Sequence, residues 1–105
     1  MAYRVRIDPI AQDEIDKLGI YLRSYDEDFA IEQIDRLDRI IATDLGESPL
    51  IWSYFVFTGA PYRAYLFRIS RHTQFWIIYV VDEDARTVDI LKFWNAKRDP
   101  ETLDL

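Results

Sequence analysis

Between Tyr62 and Asn95 the chain holds three runs dense in Val, Ile, Tyr, Phe and Trp, and the connections between them are too short to hide a helix. Tyr62 to Ser70 and Gln74 to Asp82 are separated only by Arg71, His72 and Thr73, and Glu83 to Arg86 then leads into Thr87 to Asn95. β-branched and aromatic side chains suit a pleated, half-buried surface. Connections of three or four residues make consecutive strands turn back as antiparallel hairpins. Whatever else the chain forms must pack on that sheet.

The first half supplies helices. Asp8-Pro9 predicts a helix start, with Asp8 as N-cap and Pro9 at the first helical position, where no needed N–H is lost. Ala11, Ile15, Leu18 and Leu22 follow at helical spacing, with Asp13, Glu14, Asp16 and Lys17 on the opposite face. Gly19 weakens this helix slightly. Ser24 to Asp28 reads as a short link and a second N-terminus, its acids suited to the positive end of a helix. Ala30, Ile34, Leu37 and Ile41 form a second stripe ending at Gly46. So short a link predicts an antiparallel helical hairpin. Ahead of it, Tyr3, Val5 and Ile7 alternate with Arg4 and Arg6 as in a half-buried strand. Residues 47 to 61, with Pro49, Gly59 and Pro61, read as a loop in which Ile51 to Phe57 could form an extra short strand. The order β-α-α-β-β-β predicts an α+β fold, the helical hairpin covering one face of a largely antiparallel sheet. At 105 residues the chain reads as a single domain over 1–105.

Composition excludes several classes. There is no cysteine, so neither a disulfide framework nor a thiolate metal site is possible, and a lone His72 does not make a transition-metal site. Glycine-rich phosphate loops and nucleophile elbows are absent, so no cofactor is expected. The opening MAYRVRIDP has no apolar stretch of a signal peptide. The apolar run Phe75 to Val81 falls far short of the roughly 20 residues that span a bilayer. The expectation is a soluble, cytoplasmic protein without membrane contact.

The formal charge of -6 is unevenly placed. Residues 1–50 carry twelve Asp and Glu against six Lys and Arg, whereas residues 51–105 carry seven of each. No acid occurs between Glu47 and Asp82, a window that includes Arg63, Arg68 and Arg71 and ten aromatic residues. The last strand then ends on Phe93-Trp94 and the basic pair Lys97-Arg98. Guanidinium groups pair with phosphates and carboxylates, and exposed aromatics stack on bases. Arg63, Arg68, Arg71, Lys92, Trp94, Lys97 and Arg98 are therefore the candidate target-binding residues, expected on one face or edge of the sheet. Against this stands the plain alternative of strand arginines snorkelling at sheet edges over a core of aromatics. His72, in a hairpin turn, reads as a surface residue.

The order of elements, the opening YRVRIDPIAQDEIDKL, the strand FWIIYVVDED and the ending VDILKFWNAKRDP resemble the RelE/ParE superfamily of toxins from bacterial type II toxin–antitoxin pairs. The likeness runs over residues 3–100. Val88, Ile90 and Leu91 followed by Lys97-Arg98-Asp99-Pro100 look like the family's closing strand and basic tail. Arg63, after Gly59 and Pro61, looks like the arginine that often opens its second strand. The resemblance implies a cognate antitoxin as partner, with a homodimer or a toxin–antitoxin hetero-oligomer as the assembly. It leaves two targets: DNA gyrase for ParE-like members, and mRNA on the ribosome for RelE-like ribonucleases. Trp76 stands where such ribonucleases place a catalytic arginine, Asn95 where relatives have histidine, and the tail DPETLDL lacks a tyrosine. Proton transfer and stabilised phosphate charge are both needed for metal-free cleavage. Catalytic residues are accordingly left unknown. A chain at -6 is also poorly matched to RNA, where phosphate neutralisation dominates affinity. The expectation is a ParE-like toxin acting by binding, with a ribonuclease or a non-toxic antitoxin-binding relative as the alternatives.

Overall fold

The computed structural model describes residues 2–105. It contains β1 (Arg4–Ile7), α1 (Pro9–Arg23), α2 (Glu27–Arg39), β2 (Arg63–Arg68), β3 (Gln74–Asp82) and β4 (Thr87–Asn95), in the β-α-α-β-β-β order expected. The strands form one four-stranded sheet in the order β1-β4-β3-β2. β2, β3 and β4 are joined by antiparallel hairpins, while β1 lies parallel to β4 at the far edge. Two intervening helices make that parallel return possible, because a parallel neighbour needs a long crossover.

Local chemistry sets the helix ends. The Asp8 carboxylate accepts from Ile10 N–H at 2.9 Å with Pro9 at the first position, and Asp26 accepts from Phe29 N–H at 3.1 Å. The second helix does not stop at Arg39 but widens into a π-helical turn over Ile40–Leu45 before Gly46. That turn docks β1, since Tyr3 N–H donates to Gly46 C=O at 2.7 Å. Gly46 is buried, and a Cβ there would meet Val5 and the Ile41 carbonyl at 3.5 Å.

The two faces of the sheet are covered differently. On one, Ala11, Ile15, Leu18 and Leu22 of α1 and Ala30 and Leu37 of α2 pack on Phe67, Ile77, Tyr79, Val88, Ile90 and Phe93. Phe75 and Phe93 stack with centroids 4.5 Å apart within this layer. The opposite face holds a smaller cluster of Phe55, Ala64, Ile78 and Trp94, edged by Tyr62, Trp76 and Leu103. Ile51 to Phe57 does not become a strand. A 3-10 turn at Pro49–Ile51 and a single bridge from Tyr54 to Arg63 replace it, and Gly59, at φ +70, closes the turn that follows. Pro49 at the head of the segment and Gly59 at its end oppose a continuous ladder.

Candidate functional site

Strand register decides which candidate residues meet. Arg68 lies opposite Gln74, Trp76 opposite Trp94, and Ile78 opposite Lys92. Side chains alternate along a strand and align across it, so Arg68, Lys92 and Trp94 share the face away from the helices. Arg98 joins them by folding back over the Trp94 ring, its guanidinium carbon 4.3 Å from the centroid. Asn95 shapes this bend, its side-chain oxygen accepting from Lys97 N–H at 2.9 Å. Trp94 itself is buried, and its indole N–H has no partner among the described residues. It therefore serves first as core, with Arg98 as a cationic lid.

Three candidates lie elsewhere. Arg63 points to the helix side and is engaged by the loop: it donates to Trp52 C=O at 2.7 Å and Leu50 C=O at 3.2 Å and stacks on Tyr54 at 4.3 Å. Hydrogen bonds from a charged group to carbonyls are stronger than those between neutral groups, so Arg63 is a fastener for residues 50–54. Arg71 is exposed in the β2–β3 turn. Lys97, although adjacent to Arg98 in sequence, turns to the helix side. The expected single cationic face is thus divided, because one step past a strand end is enough to send neighbours to opposite sides.

Lys97 instead lines a cleft of about 400 Å³ between α1 and the ends of the β2–β3 hairpin and β4. Glu14, Lys17 and Tyr21 come from α1, His72 from the hairpin turn and Asn95 from β4. Lys17 is paired with Asp13 at 3.1 Å and reaches Glu14 at 3.7 Å, and the hydrogen bond to Asp13 chiefly raises its pKa. Lys97 forms no ion pair among the described residues. Hydrogen bonding to Tyr25 raises the Tyr21 pKa above the ordinary phenol value, which makes it a poorer proton donor. The cleft can hold an anion near Lys97. Its α1 wall could have been read from sequence, since Glu14, Leu18 and Tyr21 follow a three-to-four residue spacing; its meeting with His72 and Lys97 could not.

Among the described residues no group of three or more His, Asp or Glu is placed to hold a metal ion, and no helix is long and apolar enough to cross a membrane. Other cations already have partners. Arg6 forms a two-pronged pair with Asp89 at 2.7 and 3.0 Å, and that hydrogen bond raises the Arg6 pKa. Arg36 lies over Phe67 at 4.3 Å, donates twice to Gln33 and also bonds the Arg68 carbonyl. No family model matches this sequence, and no curated protein matches it either.

Proposed function

We propose that the chain is a ParE-like toxin, arresting growth by binding DNA gyrase or a comparable target and held silent by a cognate antitoxin. One observation carries the reading: the β-α-α-β-β-β chain forms one mixed sheet with a helical hairpin on a single face, the arrangement that the resemblance over residues 3–100 implies. Two features favour binding over catalysis. Arg68, Lys92 and Arg98 share the face away from the helices, where Trp94 and Trp76 stand opposite one another and Arg98 lies over the Trp94 ring, a surface of cations and aromatics suited to contact. The acidic total of -6 also disfavours a ribonuclease.

A second reading has its own observation. The cleft on the helix side brings His72, Tyr21, Lys17 and Lys97 together, a set with both charge and exchangeable protons, as a RelE-like ribonuclease would need.

Controlled expression of the chain alone, and then with its neighbouring gene product, separates these. Growth arrest with blocked supercoiling and intact message supports the ParE-like reading. Codon-dependent cuts in message transfer the assignment to the ribonuclease, and unaffected growth leaves a non-toxic antitoxin-binding relative. Single charge reversals sharpen the result, since the two basic neighbours lie on opposite sides. Arg98→Glu is expected to remove arrest by binding while Lys97→Glu spares it; the reverse pattern places activity in the cleft.

A further inference from the structure

The outer edge of the sheet is β2, and both of its ends are already engaged. Tyr62 C=O accepts from Phe55 N–H at 2.7 Å, Ala64 N–H donates to Ser53 C=O at 3.2 Å, and Arg36 donates to Arg68 C=O. In an antiparallel strand the two backbone groups of a residue point to the same side, alternating along the chain. Tyr62, Ala64, Leu66 and Arg68 therefore turn outward, while Arg63, Tyr65 and Phe67 face Tyr79, Ile77 and Phe75 of β3. Four outward groups have no partner among the described residues: Ala64 C=O, Leu66 N–H, Leu66 C=O and Arg68 N–H.

A shallow notch of about 430 Å³ opens along this stretch, lined by Arg36, Trp52, Ala64, Tyr65, Leu66 and Arg68. Trp52 also carries a buried indole N–H without a partner among the described residues. An unpaired edge is a template for another strand, and here every charged group lining it is a cation. Arg68 is exposed and makes no ion pair among the described residues, and no acid lies between Glu47 and Asp82.

We propose that this notch docks a short extended segment of an acidic partner protein, which adds a strand at Leu66 and sets a carboxylate against Arg68. The open groups alternate donor and acceptor, and a peptide backbone answers both kinds. A nucleic-acid phosphate only accepts, and would leave the Ala64 and Leu66 carbonyls unmet. From Ala64 to Arg68 the edge runs about 13 Å, room for roughly four extended residues. A second copy of the chain does not fit as a β2–β2 pair centred on Leu66. Ser53 already sits beside Ala64, where the copy's Arg68 would have to lie.

The test uses the whole chain, labelled for amide NMR, with the peptide Ac-Glu-Val-Glu-Val-Glu-NH2, its lysine counterpart and a hexauridylate. The acidic peptide is expected to shift the Leu66 and Arg68 amides and slow hydrogen exchange at Leu66. Arg68→Glu turns an attraction into a repulsion and should weaken binding about tenfold. Leu66→Pro removes a donor that faces away from β3, the kind of edge position where proline is accommodated, and should abolish binding with the hairpin retained. Silence of the Leu66 and Arg68 amides, equal binding of the lysine peptide, or preference for the oligonucleotide would each overturn the proposal. The notch would hold such a segment whether or not the chain arrests growth, so these results and the expression experiment are independent.

Discussion

The two faces of the sheet differ in what covers them, and the difference separates stability from recognition. The helix side is a continuous layer in which Leu37, Phe67, Ile77 and Tyr79 are fully buried between two helices and four strands. Among the described residues no α-helix covers the opposite face. A loop residue, Phe55, and the C-terminal turn around Leu103 cover only its centre, and the rim carries Arg4, Arg6, Lys92 and Arg68. A helical hairpin can bury one face of a sheet but not both. The face left over carries cations, and the exposed Phe57 lies against its Phe55 with ring centroids 5.4 Å apart.

The sharpest way to break this contrast is a matched pair of truncations. Phe67→Ala, between Arg36 and Phe93, should cost about 3–5 kcal/mol in chemical denaturation. Phe55→Ala should cost roughly half of that, because a loop can settle into the space while a sheet flanked by helices cannot. Equal losses would mean that both faces are equally part of one rigid core.

A smaller effect tests the boundary between them. Tyr79, buried on the helix side, donates its hydroxyl to Pro49 C=O at 2.6 Å and so ties the loop to the core. Tyr79→Phe leaves that carbonyl unanswered and should cost about 1–3 kcal/mol. The phenol also gives a pH signature. Desolvation raises its pKa well above the ordinary value, whereas the unfolded chain titrates near 10. The neutral form is the one the fold favours, so its contribution is complete below about pH 10 and is lost as pH rises beyond. Tyr65, raised first by burial and then by Asp44, acts in the same direction. Denaturation midpoints of the wild type should fall steeply above about pH 10 and those of Tyr79→Phe less so.

Comparable in size is the fastening of residues 50–54. Arg63→Met removes two bonds to carbonyls and should cost about 1–3 kcal/mol, with faster exchange at Ala64, whose amide is held by Ser53. Unchanged exchange there would show that Arg63 is not the clasp. The smallest effect belongs to the open face itself. Asp89→Asn breaks the pair with exposed Arg6 and is expected to leave the denaturation midpoint unmoved at physiological salt, since exposed pairs contribute little.

Much of this was legible in the chain. The Asp8-Pro9 start, the stripes of Ala11 to Leu22 and Ala30 to Ile41, and the bounds of Gln74–Asp82 and Thr87–Asn95 all follow from periodicity and capping, which act over a few residues. The exchange of a strand for a 3-10 turn at Pro49–Ile51 was less legible. Apolar residues in 51–57 satisfy strand propensity, yet where they are buried depends on Arg63 and Tyr79, which come from later in the chain.

The candidate site shows the same division. Sequence alone determined the charge asymmetry, the acid-free window, the absence of thiolate chemistry and the order of elements, because each depends on residue identity or short-range spacing. Only the tertiary structure decided that Lys97 and Arg98 part company, that Arg63 is spent on loop carbonyls, and that His72 and Tyr21 meet across a cleft. Side-chain direction at a strand end and partners separated by tens of residues are set by register and packing, which no local pattern encodes.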